Sequence, residues 1–242
     1  MDLADRVALV TGGARRVGRS LALALADGGA NVVVNYHRSE TDARRTVEEV
    51  EAMGRRALAV QADVSSRSDV TAMIDRVATE FGRLDVLVNS ASLFRSTPFL
   101  SIDEKDWDRV LAVNLKGPFL VIQAAAALLA AHEGVVVNIA DLSALQPWPG
   151  FAHHSVSKAG LAQLTRVAAR ALAPRVRVNC IAPGTVLPPE DYTQEQVADL
   201  RDHTALKRLG SPADVARALL YLVESDFVTG EIVVVDGGRS LM

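Results

Sequence analysis

The chain is short of cysteine, of aromatics and of any excess of charge. Its 242 residues include one cysteine, Cys180, and three tyrosines, Tyr36, Tyr192 and Tyr221, and aromatic residues make up only 5%. A single cysteine excludes an internal disulfide and a thiolate-built zinc site, which needs several sulfur ligands. Within the run Val176 to Ile181 it reads as a small core hydrophobe. The balance of 26 basic against 29 acidic side chains, a formal charge of −3 and no block of like charge, gives no electrostatic reason to expect nucleic acid or an anionic membrane as partner. No uncharged apolar run reaches the roughly 18 residues that cross a bilayer, and Asp2 and Asp5 do not form the basic start of a signal peptide. The expectation is a soluble, cytoplasmic protein, with 49% apolar residues to fill a core.

What is present is an alternation. Short β-branched runs fall at 7–10, 31–35, 57–61, 86–89, 135–139, 177–181 and 232–235. Several are apolar without a break, such as Val32-Val33-Val34 and Val135-Val136-Val137, as expected of strands covered on both faces. Segments 39–53, 66–81, 103–131 and 155–173 carry apolar residues three and four apart and read as crossover helices, and 212–224 as a late helix. Right-handed βαβ connections then predict an α/β fold: a doubly wound, Rossmann-like, parallel seven-stranded sheet with helices on both faces, one domain over 1–242. No repeat or linker interrupts it. The least regular stretch is 183–195, broken by Pro183, Pro188 and Pro189, and a substrate loop is expected over about 183–210.

The first strand runs into Thr11-Gly12-Gly13-Ala14-Arg15-Arg16-Val17-Gly18 and then a helical segment. A glycine turn between strand and helix lets backbone approach a pyrophosphate, and the helix N-terminus adds free N–H groups and partial positive charge. The spacing is not G-x-G-x-x-G, so a tight turn without a ligand is the competing reading. Folds that prefer NAD end their second strand on an acid that holds the ribose 2′-hydroxyl. Here that strand ends Asn35-Tyr36-His37-Arg38-Ser39. With Arg15 and Arg16 in the turn, these residues suit the 2′-phosphate of NADP(H), because guanidinium matches phosphate with paired donors. A solvated arginine cluster is the alternative.

At these residues the chain resembles the short-chain dehydrogenase/reductase family, over essentially its whole length. The motifs occur in order: the turn at 11–18, Asp63-Val64, Asn89-Ser90-Ala91, Asn114, a catalytic segment ending at Lys158, and Pro183-Gly184. The resemblance implies that Asp63 and Val64 contact adenine, that Asn89, Ser90, Ala91, Pro183 and Gly184 line the cofactor channel, and that Asn114 holds a relay water. Within the family the chain most resembles pteridine reductases. The shared features are Arg16 in place of a glycine, the run His37-Arg38-Ser39, Asn89-Ser90-Ala91-Ser92, Thr97-Pro98, and Asp141 where most members place a catalytic serine.

The departure is at residue 154. The family places a proton-donating tyrosine four residues before its lysine, and here that position is His154. Residues four apart share one helix face, so His154 and Lys158 point at the same place. Imidazolium is a competent acid, with an unperturbed pKa of about 6.5 against about 10 for tyrosine. A cationic Lys158 and an oxidised nicotinamide disfavour the charged ring, whereas a carboxylate at Asp141 favours it. Three readings stay open: a reductase using His154 or a water it positions, a proton supplied by Asp141 or the substrate itself, and a nucleotide-binding regulatory or scaffold protein that has lost its chemistry. By the resemblance, Lys158 holds the nicotinamide ribose.

Of the tyrosines, Tyr36 belongs with the cofactor pocket and Tyr221 with the late helix, while Tyr192 either reaches the substrate from the irregular loop or sits on the surface. Ser92, Leu93, Phe94, Trp148, Pro149 and Leu187 either wall a small-molecule substrate or pack ordinarily. His153 reads as a packed bystander. Adjacent histidines point about 100° apart and lack H-E-x-x-H spacing, so no metal is expected. Ser155 and Ser157 lack the G-x-S-x-G elbow of a nucleophile. Leu- and Ala-rich faces on 103–131 and 155–173 serve either burial within the chain or, as the resemblance implies, a homodimer or homotetramer.

Overall fold

The computed structural model describes residues 1–188 and 192–242. Seven parallel strands, β1 (Val7–Thr11), β2 (Asn31–Tyr36), β3 (Ala57–Gln61), β4 (Val86–Asn89), β5 (Val135–Ile139), β6 (Arg177–Pro183) and β7 (Ile232–Val235), lie in the order β3-β2-β1-β4-β5-β6-β7. The chain winds outward from β1 through β3 and then returns to β4 on the other side of β1. That reversal opens a crevice beyond the carboxyl ends of β1 and β4, where such sheets bind ligands.

Among the described residues eight α-helices fill the connections: α1 (Arg16–Asp27), α2 (Glu40–Ala52), α3 (Arg67–Phe81), α4 (Glu104–Leu111), α5 (Gly117–Ala131), α6 (Ala152–Leu172), α7 (Gln194–Asp202) and α8 (Pro212–Glu224). Alternate strand residues feed two cores. Val32, Val34, Val135 and Val137 pack with Leu21, Leu25, Leu219 and Leu222 of α1 and α8. Val33 and Val136 pack with Met73, Val77, Val121 and Leu129 of α3 and α5. Both faces are dry, which is why the strands are apolar without alternation.

The strand expectations stand to within two residues, and the helices differ in three places. The 103–131 segment is α4, a π-helical turn at Ala112–Lys116 and α5. One extra residue per turn there shifts the helix face on which Asn114 sits. This stretch, Glu104–Ala131, is long and apolar enough by length and composition to cross a membrane, but half of its most apolar part is buried inside the fold, as in a core helix. Helix α6 starts at Ala152, three residues before the expected 155. The expected irregular stretch 183–195 gives way to α7, whose start is sealed by a capping box between Thr193 and Gln196. Pro189, Glu190 and Asp191 of that stretch lie outside the described residues.

Candidate active site

The nucleotide end begins with two glycines for which no other residue has room. A Cβ on Gly18 would lie 2.3 Å from the Gly12 carbonyl oxygen, and one on Gly12, at φ +63, would lie 2.8 Å from Ala91 Cα. The turn is therefore pressed against the end of β4. Thr11 Oγ1 accepts from the Ser90 and Ala91 amides at 3.0 and 3.2 Å and locks the two loops together. Helix α1 has no side-chain cap and no acid in its first turn. Its first N–H groups thus stay available to a phosphate.

At the tip of β2, His37 and Arg38 are exposed, and the Ser39 hydroxyl makes no capping bond to α2. Among the described residues Arg38 has no ion-pair partner, while Arg15 lies 3.7 Å from Asp42. Asn35, expected beside the ribose, is instead buried. Its Nδ2 donates to the Val60 and Ala62 carbonyls and its Oδ1 accepts from Gly12 N, so it staples the strand ends. Tyr36, expected at the cofactor pocket, packs into the core. Asp63 accepts from Ser65 through Oδ1 and from Arg109 at 3.1 Å through Oδ2, with His37 at 3.8 Å. Burial opposes its charge, but the Ser65 and then Arg109 hydrogen bonds prevail and hold it at about 2. Val64 is buried against Gly117. Asn89 donates to Asn138 at 2.9 Å, and its buried Oδ1 has no partner among the described residues.

Deeper along the crevice lies a cavity of about 930 Å³, reached by Arg16, Val17, Ser90, Ser92, Phe94, Trp148, Leu187 and Tyr192, and at its floor by Asp141, His154 and Lys158. Gly184 and Pro183, at the end of β6, border it. Of the two readings of Leu93 the packing one holds: its side chain packs against the core and its backbone serves the site. Phe151 enlarges the aromatic wall. It stacks on Phe94 at 4.5 Å and meets Trp148 edge-on at 6.0 Å, while Phe94 meets the His154 ring edge-on at 4.9 Å.

His154 is held from both sides. Its Nε2 is 2.5 Å from Asp141 Oδ2, and its Nδ1 is 3.0 Å from the Leu93 carbonyl. Asn114 Nδ2 also lies 3.3 Å from Nδ1, but its two hydrogens go to the Leu93 carbonyl and Ser157 Oγ, at 3.0 and 3.1 Å. The Leu93 carbonyl and the Asp141 carboxylate are both acceptors, so each is a partner for a ring N–H. The other carboxylate oxygen, Oδ1, accepts from Ser143 N and Oγ at 2.8 and 2.5 Å. Burial works against the Asp141 charge, but the His154 hydrogen bond and then the Lys158 charge outweigh it and keep the carboxyl below its usual range. Lys158 donates to the Ile139 carbonyl at 2.8 Å, and burial pushes its ammonium down while Asp141 pulls the other way. Both line the cavity, but only 2% of the His154 side chain is exposed against 20% for Asp141, so the carboxyl is the more accessible member of the pair.

His153 is buried, accepts from the His154 amide, and is kept from charging by burial and then by its neighbour. Cys180 is buried in the sheet, and burial pushes its thiol up to about 11. Ser143, Phe151, Thr185 and Arg239 were not expected at the site. The Asp141-x-Ser143 spacing of a local turn was a usable signal for the first; Arg239 had none.

A doubly wound sheet, an uncapped glycine turn at its switch point and a helix presenting His154 and Lys158 beside Asp141 define a nucleotide-binding oxidoreductase site. Residues 12–240 match the family described as enoyl-(acyl carrier protein) reductase, and the chain belongs to the short-chain dehydrogenase/reductase family of oxidoreductases. It is 38% identical over 242 residues to the 3-oxoacyl-[acyl-carrier-protein] reductase FabG of Staphylococcus epidermidis, covering 97% of this chain and 98% of that one. Among solved structures, a dehydrogenase/reductase from Sinorhizobium meliloti superposes with a TM-score of 0.92 at 36% identity, covering 98% and 97% of the two chains. A blue fluorescent protein from a metagenomic library, solved in complex with NADPH, gives a TM-score of 0.92 at 32% identity, covering 99% and 100%.

Proposed function

We propose that this protein is a cytoplasmic NADPH-dependent reductase of a C=O or C=N bond in a small molecule, pteridine-like or a simpler carbonyl compound, with Asp141 and His154 together replacing the tyrosine acid. The observation that carries the reading is the 2.5 Å contact between His154 Nε2 and Asp141 Oδ2, with Nδ1 pinned on the Leu93 carbonyl. A ring drifting after loss of function has no reason to be fixed at both nitrogens.

The residues fit the cofactor. The bare N-terminus of α1 would take the pyrophosphate, and Arg15, His37, Arg38 and Ser39 the 2′-phosphate. The unpartnered Asn89 Oδ1 and the loops at Ser90-Ala91 and Pro183-Gly184 border the channel, and Lys158 would hold the nicotinamide ribose. When bound, NADPH supplies a hydride. The chain supplies the proton. An imidazole reaches less far from its backbone than a phenol hydroxyl, and the Asp141 carboxyl makes up the difference. The proton held between Nε2 and Oδ2 passes from Oδ2 to the substrate oxygen or nitrogen, leaving neutral His154 and the Asp141 carboxylate, and water recharges the pair. Asn114 acts as a positioning residue, since it orients Leu93 and Ser157 around the ring.

The aromatic wall of Phe94, Phe151 and Trp148 favours a flat substrate, and the 3-oxoacyl compound named for the staphylococcal relative belongs to the same reaction class. Segment 183–210 is the substrate loop of the one domain, and Arg16 ties it to α1 through the Leu187 carbonyl at 2.9 Å. A homodimer or homotetramer is the expected assembly. The test is NADPH oxidation over ketones, 3-oxoacyl thioesters, quinones, dihydropteridines and cyclic imines, beside NADPH and NADH titrations. Turnover on one class with NADPH preferred supports the reading, and tight NADPH binding with no turnover on any class overturns it in favour of a regulatory protein.

A further inference from the structure

Arg239 lies near the end of the chain, after Gly237 and Gly238, whose φ values of +65 and +77 turn the backbone back on itself beyond β7. Asp236 closes the turn by accepting from Gly238 N and Ser240 N at 2.8 and 2.7 Å. The result carries the guanidinium over the end of β6. There Nη1 donates to Thr185 Oγ1 at 2.6 Å and the side chain lines the same cavity as Asp141 and His154.

Among the described residues the cations of that cavity outnumber its carboxylates. Among the described residues its walls carry Arg16, Lys158 and Arg239 against one carboxylate, Asp141. Asp141 is taken up by the His154 hydrogen bond and the Lys158 charge. Arg16 belongs to the glycine turn and hydrogen-bonds the Leu187 and Pro188 carbonyls. Arg239 is left half-buried in a largely apolar wall, with the Thr185 hydroxyl as side-chain partner and no ion pair among the described residues. A partly desolvated guanidinium presents a planar fork of donors that a carboxylate satisfies with two parallel bonds.

We infer that the substrate carries a carboxylate besides the reducible C=O or C=N bond, and that Arg239 selects for it as a specificity-determining residue. This rests on the cavity being the substrate site of the proposed reductase. The carboxylate would seat on Arg239 while the flat body lies along Phe94, Phe151 and Trp148, so that charge and shape together set which end faces Asp141.

Benzoate and its neutral counterpart benzamide probe this by isothermal titration into the NADP⁺-loaded protein, wild type, Arg239→Gln and Arg239→Lys. Benzoate is expected to bind wild type at least tenfold more tightly than benzamide, with the preference gone in Arg239→Gln and reduced in Arg239→Lys, which keeps the charge but loses the fork. NADPH affinity should stay within twofold in both variants, which also shows that they fold. Equal affinity of the two probes for wild type, absence of saturable benzoate binding, or a preference that survives in Arg239→Gln overturns the inference. So does a tenfold loss of NADPH affinity in both variants, which would assign Arg239 to the cofactor. Failure of the underlying reductase reading looks different: it is failure of wild type to bind NADPH, or binding without turnover on any substrate class.

Discussion

His154 occupies a position from which its chemistry is set by two acceptors, the Leu93 carbonyl and the Asp141 carboxyl. Removing either end has separable effects. His154→Ala should lower kcat by roughly 10²- to 10⁴-fold, the usual worth of a positioned acid, with NADPH affinity unchanged within twofold; stopped-flow hydride transfer and a fluorescence titration read the two. Asp141→Asn keeps the shape but removes the carboxyl that passes the proton, so its kcat should fall comparably. His154→Tyr restores a long-reaching donor and should recover turnover relative to His154→Ala. Most of this constellation was legible in the residues, since the four-residue spacing puts His154 and Lys158 on one face. The contact with Asp141 was legible only as a favourable chemistry, because a strand end and a helix start meet through tertiary packing. The part played by the Leu93 backbone was hidden for a related reason: a backbone carbonyl has no signature in sequence.

Among the elements, α1 carries the clearest local message. Its glycines mark close approach, and the missing cap marks a ligand. Gly18→Ala would place a Cβ 2.3 Å from the Gly12 carbonyl, so the turn must shift. The expected outcome is a destabilisation of about 1 to 3 kcal/mol, read by thermal melting, with NADPH affinity falling at least tenfold. Replacing Arg38 with Ala should weaken NADPH about tenfold and leave NADH unchanged. Helix α7 escaped the sequence reading because three prolines dominate the stretch before it, while its capping box, Thr193 to Gln196, is short and its face is mostly exposed. The π-helical turn that carries Asn114 is also invisible in the pattern, since an extra residue in one turn leaves the apolar spacing on either side intact.

For the whole molecule, two expectations follow from long-range contacts. Asp63 joins the loop after β3 to α4 through Arg109 and sits at about 2, below the ordinary carboxylate value of about 3.9. A lowered carboxyl stabilises fully above its unfolded value and loses that contribution as pH falls through about 4 towards 2. Asp63→Asn should therefore cost most stability in urea melts at pH 6, about half as much at pH 3, where the folded carboxyl is still charged, and little near pH 1. The exposed Phe119, Val156 and Val167 on α5 and α6, at 43%, 48% and 56%, are the apolar faces expected at a subunit contact, so Val167→Glu should lower the sedimentation coefficient towards that of a monomer. Sequence by itself determined the strand set, the parallel two-faced sheet and the glycine turn, because each rests on local patterns of burial and conformation. Tertiary structure decided which groups meet: Asp141 with His154, Asn114 with Leu93, and Arg239, carried from near the chain's end to Thr185 at the cavity. These contacts join residues 13, 21 and 54 positions apart, and no local preference fixes a distance across such a gap. Sheet order and helix packing fix it, and with it the set of groups that line the cavity.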